Sequence, residues 1–414
     1  MPFFKKTIFT GFAPNLMKDD LTLALKYMFF PPAWSGWKVG EWPVAVEEWL
    51  KKYFATPYAL TFDSGRSAIT LALKAMGISP GDEVICQAYT CLVVVNAVKQ
   101  AGAIPVYVDI DSSFNMDTAD LRKKISAKTK VIIVQHTFGL PARVDAILEQ
   151  ARQGNIKVLE DCAHCLGAEY RGRKLGTYGD AAIFSFGSDK AVSSVRGGAV
   201  ITNDAAIFSR LKNYQARLPS LPAIKIWQHL MSYPVWAFGK WLYSFFIGKF
   251  ILQIAKKIYL IPRIVSNEEK RGKQPIYYPA KFANCLAELA WRQLNKLELL
   301  NAHRRMLSLL YQEKIKLPKL IKPVLTEGAV CLRFPLLTDQ PDILRARAKS
   351  NNIILGDWYN SVISPPDIDW EATGYTAGSC PTAENMAKRS VNLPTDINVS
   401  AKDAARIIEV INNY

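Results

Sequence analysis

The sequence predicts an α/β fold with a mostly parallel central sheet flanked by helices, followed by a smaller α+β C-terminal domain. Three observations predict it. Through the first two thirds of the chain, short β-branched or aromatic runs (EVICQAY, IPVYVDI, VIIVQH, KVLEDC, AAIFSF) alternate with helical patterns, and such alternation gives parallel strands covered by helices on both faces. From about Ala280 the texture changes to long helical periodicity and Pro-rich connections. A chain of 414 residues, half of them apolar, is long enough for a sizeable core and two domains.

In order, SGRSAITLALKAMG places apolar residues at helical spacing and ends on a glycine. RVDAILEQARQG, between VIIVQH and KVLEDC, is a helix closed by Gly154. LAELAWRQLNKLELLNAHRRMLSLLYQEK reads as a long helical pattern, CLRFPLL as a strand, and AKDAARIIEVINN as the final helix. The expected division is a large domain over 1–275, containing a hydrophobic and basic insertion at 224–273, and a small domain over 276–414. Ligands of such open sheets bind beyond the carboxyl ends of the strands.

Net charge is +16, and more than half of the excess lies between Ala205 and Pro275. No zinc-finger, homeodomain or RNA-binding motif accompanies it, and the residues between the charges are Trp, Phe, Tyr, Leu and Ile, so nucleic acid is not the expected partner. Seven cysteines in this length do not suggest a disulfide framework. Cys162 and Cys165 form a CxxC without a second one, and no metal is expected there. MPFFKKTIFTGFAPNL lacks the long apolar core of a signal peptide. A cytoplasmic protein is the expectation.

Two apolar runs end in chemistry rather than in a turn. KVLED delivers Asp161 to one end of the sheet, and AAIFSFGSDK delivers Ser185 and then Lys190. That is what an enzyme needs to hold pyridoxal 5′-phosphate: the acid pairs with the protonated ring nitrogen, the lysine bonds the cofactor covalently, and the serine can donate to its phosphate. Ser64-Gly65-Arg66-Ser67 opens a helix whose unpaired N–H groups favour a phosphate, although the same residues also serve as a plain helix cap. Tyr89 closes EVICQAY, where its ring could lie on a planar cofactor or simply fill the core. His164 follows Asp161 by three residues, within reach of the same site or as a structural histidine.

The ordered blocks SGRSAI, GDEVICQAYT, AGAIPVYVDID, QHTFGLPARVD, VLEDCAHCLGAEYRGRKLGTYGDAAIFSF, Lys190 and GGAVITND resemble the DegT/DnrJ/StrS family of sugar aminotransferases, densely from Tyr58 to Asp204 and again in FANCLAELAWRQLNKLE and CPTAENMAKRSVNLP. The resemblance implies the aspartate-aminotransferase fold, fold type I among pyridoxal phosphate enzymes. It implies that Lys190 is the covalent lysine, that Asp161 partners the ring nitrogen, and that Gly65, Arg66 and Ser185 hold the phosphate, the first two through backbone N–H. It also puts Tyr89 where relatives stack an aromatic ring and His164 beside the cofactor.

Some positions depart from the pattern. Tyr277-Tyr278-Pro279-Ala280-Lys281 stands where many relatives have a G-Y-N-x-R-like segment reaching into the neighbouring subunit, so the Asn is missing and Lys replaces Arg. Arg196 replaces an acidic residue before the paired glycines. Lys190 argues against the dehydrating branch, which has His in its place. In the 224–273 insertion, Lys240, Ser244, Gly248 and Lys256 recur at four-residue steps among Trp, Phe and Tyr, a stripe suited to a helix lying on an anionic membrane or packed on the enzyme itself. No run is long enough to span a bilayer.

The expected protein is a pyridoxal-phosphate-dependent aminotransferase, a homodimer, moving an amino group from an amino acid, glutamate in the first instance, to a nucleotide-linked keto-sugar for cell-surface glycan synthesis. Its 224–273 segment would touch the inner face of the membrane. The alternatives are a non-transaminating pyridoxal phosphate enzyme and a catalytically altered sensor or scaffold.

Overall fold

Seven strands form the central sheet of this computed structural model, which describes residues 6–414 apart from Phe12, Pro14 and Phe246. The leading MPFFK, the start of the stretch that reads as no signal peptide, lies outside the described residues. In chain order the sheet strands are β1 (Tyr58–Phe62), β2 (Glu83–Gln87), β3 (Ile104–Val108), β4 (Thr129–Gln135), β5 (Lys157–Asp161), β6 (Ala181–Ser185) and β7 (Gly198–Thr202). Their spatial order is β1-β7-β6-β5-β4-β2-β3. Only β7 runs against its neighbours, pairing antiparallel with both β6 and β1; the remaining pairs are parallel.

Alternation along each strand splits the core into two layers. In β4, Val131 and Ile133 join the cluster on one face of the sheet, while Ile132 and Val134 join the cluster on the other. Both faces are covered, which is why the strand reads as an uninterrupted apolar run. The covering helices include α1 (Gly65–Ala75), α2 (Leu92–Ala101), α3 (Val144–Gln153) and α4 (Ala205–Arg217). Parallel register carries Gln135 and Asp161 to the same level at their strand ends, and Asp161 stands opposite Ile183. The chemistry-bearing residues therefore gather at one edge of the sheet.

The 224–273 segment differs from its expected form. It contains two helices, α5 (Ala223–Trp241) and α6 (Ile247–Lys257), separated by a 3₁₀ turn at Tyr243–Phe245. Lys240, Ser244, Gly248 and Lys256 therefore do not share one helical stripe. Gly248 is buried where the helices meet, so close that a Cβ on it would lie 2.1 Å from the Gly239 carbonyl oxygen. Burial lowers the Lys240 ammonium below the usual lysine range, and its Nζ lies 5.4 Å from the Phe9 ring centroid. Along α5, Ile226, His229, Leu230, Tyr233 and Trp236 face inward. Along α6, Leu252 and Ala255 are buried, whereas Ile247, Phe250 and Ile254 are exposed, as is Ile258 just beyond. Among the described residues no helix is long and apolar enough to cross a membrane.

The long helical pattern after Ala280 forms two helices, α7 (Asn284–Leu294) and α8 (Leu297–Lys314). Asn295 turns its side-chain amide back onto the Trp291 carbonyl at 2.8 Å, and the chain changes direction at Lys296. Beyond them, β8 (Arg333–Leu337) pairs antiparallel with β9 (Ser390–Pro394), and α9 (Ala401–Asn412) closes the chain. Two short pairings tie this part to the rest: Ile8–Phe9 with Ile353–Ile354, and Thr90–Cys91 with Ile363–Ser364. The second brings Trp358 and Tyr359 over the carboxyl edge of the sheet.

Candidate active site

A cavity opens at that edge, and its walls include Gly65, Arg66, Asp161, His164, Ser185 and Lys190. Six of the seven residues expected from the sequence thus meet in one place.

The last residue of β5 is Asp161, nearly fully buried. Its Oδ1 accepts the Ala163 N–H at 3.0 Å. Burial raises its carboxyl above the usual carboxylate range, with the Ala163 bond and the charges of Lys190 and His136 pulling it back. No cationic side chain forms a direct ion pair with it among the described residues. A buried carboxylate so placed favours a cationic ligand group.

Lys190 follows a tight turn in which its N–H bonds to the Gly187 carbonyl at 3.2 Å. Its ammonium is lowered by burial, against the attraction of Asp189, Cys91 and Asp161. Nζ sits 5.0 Å from the Trp358 ring centroid. Behind it, Asp189 is taken by Arg333 at 2.8 Å in a buried pair, and the Arg333 guanidinium lies 3.6 Å from the same Trp358 ring.

His164 accepts the Phe138 N–H on Nδ1 at 3.2 Å, and its Nε2 faces the Tyr359 hydroxyl at 3.5 Å. Its ring stacks on Trp358 with centroids 5.5 Å apart. Burial, then the charges of Lys190 and Arg333, holds it well below the usual histidine range. A neutral ring that accepts on Nδ1 carries its proton on Nε2, on the side of Tyr359.

At the other end of the cavity, Ser64 caps α1, its Oγ accepting from the Ser67 N–H at 3.3 Å. Strand β6 ends with Ser185 against this helix start. A Cβ on Gly65 would lie 2.9 Å from the Ser185 Cβ and 3.1 Å from its Oγ. A Cβ on Gly198 would lie 2.5 Å from the Gly65 nitrogen. Only glycines allow these elements to close into a cradle in which N–H groups and a hydroxyl converge, the donor set a phosphate requires. The Arg66 side chain turns away from the cradle to pair with Glu269 and to donate to the Ile264 carbonyl at 2.7 Å. The expected contribution of Arg66 through its backbone is compatible with this placement. Arg196 is buried and paired with Asp63, its Nε at 2.9 Å.

Tyr89 is the exception. Strand β2 ends at Gln87, and Tyr89 has a positive φ of 67° that turns its side chain away from the cavity. It is fully buried, donating to the Ser390 Oγ at 2.8 Å and accepting the Tyr359 N–H at 3.3 Å, with its ring among Phe114, Phe138 and Tyr359. It supports Tyr359 and does not line the cavity. Cys91, two residues on, does.

Sequence reasoning missed Trp358, Tyr359 and His229, which also line the cavity. The first two stand in DWYNS, a short irregular stretch ahead of Pro365-Pro366, where no periodicity marks a wall. His229 sits in an apolar helical pattern indistinguishable from core. The CxxC cysteines lie elsewhere: Cys162, Cys165 and His136 bring ligand atoms within 4.8 Å of one another, all buried. The His136 ring is already engaged by the Ala142 N–H at 3.1 Å and by Glu160 at 3.3 Å.

Asp161 without a direct cationic partner and the Gly65–Ser185 cradle are the two features pyridoxal 5′-phosphate needs at its opposite ends, so the residues present fit that cofactor.

Known proteins resemble the chain over most of its length. The profile of the DegT/DnrJ/EryC1/StrS aminotransferase family matches residues 34–230 and 253–412, leaving out the junction of α5 and α6. The chain is 41% identical over 201 residues to the GDP-perosamine synthase of Caulobacter vibrioides, a stretch covering 48% of this chain and 53%, about half, of that relative. It is 29% identical to a spore coat polysaccharide biosynthesis protein of Bacillus subtilis over 92% of this chain and 91% of the other. Among solved structures it resembles NtdA of Bacillus subtilis, crystallised with bound PMP cofactor, with a TM-score of 0.73 and 21% identity over 96% of this chain and 82% of that one.

Proposed function

Because this chain belongs to the DegT/DnrJ/EryC1/StrS aminotransferase family, we propose that it is a pyridoxal-phosphate-dependent aminotransferase that moves the amino group of an amino acid, glutamate in the first instance, onto a nucleotide-linked keto-sugar. The observation that carries this reading is the meeting of Lys190 and Asp161 in one cavity whose far end is the Gly65–Ser185 cradle. Residues 1–275 form the cofactor-holding domain in this reading, and 276–414 close over it.

When bound, pyridoxal phosphate supplies an electron sink that makes the carbon next to the amino nitrogen acidic. Asp161 accepts the ring N–H and keeps that proton in place, which sustains the sink. Lys190 first anchors the cofactor. With its ammonium lowered by burial, it would carry a proton between the two carbons on either side of the amino nitrogen. Gly65, Arg66 and Ser185 bind the phosphate by two N–H groups and a hydroxyl. His164, neutral and pinned by the Phe138 N–H, keeps Trp358 stacked at the ring end, and Trp358 with Tyr359 excludes water there.

The test is conversion of glutamate to 2-oxoglutarate in the presence of a panel of nucleotide-linked keto-sugars. One amino-sugar formed per 2-oxoglutarate supports the reading. Bound cofactor with loss of water from a sugar would favour a dehydrating enzyme, and bound cofactor with no conversion would favour a sensor or scaffold. A homodimer belongs to the same proposal, and light scattering on the purified protein checks it.

The exposed face of α6 favours one addition: contact with the inner face of an anionic membrane, from a cytoplasmic enzyme. Ile247, Phe250, Ile254 and Ile258 stand exposed beside Lys249, Lys256 and Lys257, and Phe238, Trp241 and Phe245 extend the patch. Apolar anchors interleaved with lysines complement an anionic lipid surface. Co-sedimentation with vesicles that increases with anionic lipid and decreases with salt supports this. Equal, negligible sedimentation with neutral and anionic vesicles would remove it.

A further inference from the structure

Helix α5 puts into the cavity a side chain that none of the roles above employs. His229 is 3% exposed and lines the same walls as Gly65, Ser185 and Arg196. Neither of its ring nitrogens has a hydrogen-bond partner among the described residues. A buried imidazole is expensive to leave unpaired, and buried polar groups in folded proteins are nearly always satisfied.

What surrounds it shows the kind of partner it lacks. The charges that act on His229 are those of Arg196, Lys225 and Arg66. Two of these are already matched, Arg196 to Asp63 and Arg66 to Glu269, while the Lys225 Nζ lies 4.8 Å from the Tyr277 ring centroid. Burial and these cations together hold the imidazole well below its usual range, hence neutral, with one N–H to give. His164 at the other end responds instead to Lys190 and Arg333. The two histidines thus meet different cations, and those around His229 mark the phosphate cradle: Arg66 follows Gly65 in the chain, and Arg196 lies two residues before Gly198, where a Cβ would lie 2.5 Å from the Gly65 nitrogen.

We propose that His229 donates its ring N–H to a phosphate group bound at the Gly65–Ser185 end of the cavity, so that α5 forms a wall of the binding site. This rests on the pyridoxal phosphate reading above. Two sources supply the same chemistry, the phosphate monoester of the cofactor and the diphosphate of a nucleotide-linked sugar.

The experiment compares wild type, His229→Leu and His229→Gln. Cofactor-free protein is titrated with pyridoxal 5′-phosphate and with pyridoxal, following the visible absorbance of the bound cofactor, and cofactor-loaded protein is titrated calorimetrically with GDP and UDP. Loss of a hydrogen bond to a charged group is expected to weaken phosphate binding by roughly tenfold or more in His229→Leu, with pyridoxal binding unchanged and His229→Gln largely restored. A loss confined to pyridoxal 5′-phosphate assigns the cofactor as the source, and one confined to the nucleotides assigns the substrate. Thermal midpoints check the fold, and His229→Phe replaces His229→Leu should the latter not fold. The proposal is overturned when the apolar variants bind every phosphate ligand as wild type does, or when pyridoxal and its phosphate weaken equally. Failure of the wild type itself to bind pyridoxal 5′-phosphate would instead remove the underlying reading.

Discussion

The strand ends of the central sheet and the α5–α6 segment both contribute walls to the cavity, but they place their side chains in different ways. At the sheet, position follows from register: β5 ends in Asp161, β6 ends in Ser185, and a parallel ladder puts them at one edge. In α5 and α6, position follows from packing against the rest of the molecule. His229 faces the cavity because Leu230, Tyr233 and Trp236 also face inward, and Phe250 faces out because Leu252 packs against Gly239 while Gly248 sits against the Gly239 carbonyl. The lesson is that register-placed chemistry can be inferred from short runs, whereas packing-placed chemistry requires the partner surface. Changes at the sheet edge should therefore alter the reaction, and changes in the helices should alter binding or location.

The largest effect is expected at Lys190. Lys190→Ala should lose at least about four orders of magnitude in turnover, since it removes both the covalent anchor and the proton carrier. Single-turnover kinetics with glutamate checks this, and turnover within tenfold of wild type would break the sheet half of the comparison. Asp161→Asn should keep cofactor but lose on the order of 10²–10³-fold in kcat, as expected when preorganised charge stabilisation is removed. Absorbance gives the cofactor content and steady-state assays give kcat.

A helix-side change behaves differently. Phe250→Asp should reduce binding to anionic vesicles by roughly tenfold or more, the free energy of withdrawing one exposed aromatic from lipid, and leave kcat unchanged. A parallel loss of kcat would mean that α6 positions the site. Gly65→Ala sharpens the contrast from the other side. Its Cβ would meet Ser185, so cofactor affinity should fall roughly tenfold, one hydrogen bond to a charged group, with kcat recovered at saturating cofactor. Tyr89→Phe should have the smallest effect on chemistry. It costs about 1–2 kcal/mol of stability through the lost bonds to Ser390 and Tyr359, and cofactor affinity stays within about twofold, as differential unfolding and titration would record.

The same contrast explains what is legible in the sequence. KVLED and AAIFSF are recognisable as strands, and the order of their terminal residues is enough to gather Asp161, Ser185 and Lys190 at one edge of a parallel sheet. Tyr89 is misplaced by the same logic because the run EVICQAY looks like a continuous strand, whereas the chain leaves the ladder at Gln87 and turns at a positive φ. The long helical pattern after Ala280 is interrupted at Asn295 and Lys296, where the Asn295 amide bonds back to the Trp291 carbonyl, a local contact that periodicity does not register. The expected lysine stripe dissolves because a 3₁₀ turn resets the helical phase between Trp241 and Ile247. Trp358 and Tyr359 come from a distant loop brought over the site by the pairing of Ile363–Ser364 with Thr90–Cys91, a contact no local pattern encodes.

The central claim is that Lys190 is the side chain that holds pyridoxal phosphate opposite Asp161. Borohydride reduction of the cofactor-loaded protein, followed by peptide mass mapping, tests it most directly. The account predicts a single phosphopyridoxyl label on Lys190 and none in Lys190→Ala. A label on any other lysine of the wild type, or an unlabelled Lys190 in protein that carries stoichiometric cofactor, would contradict it.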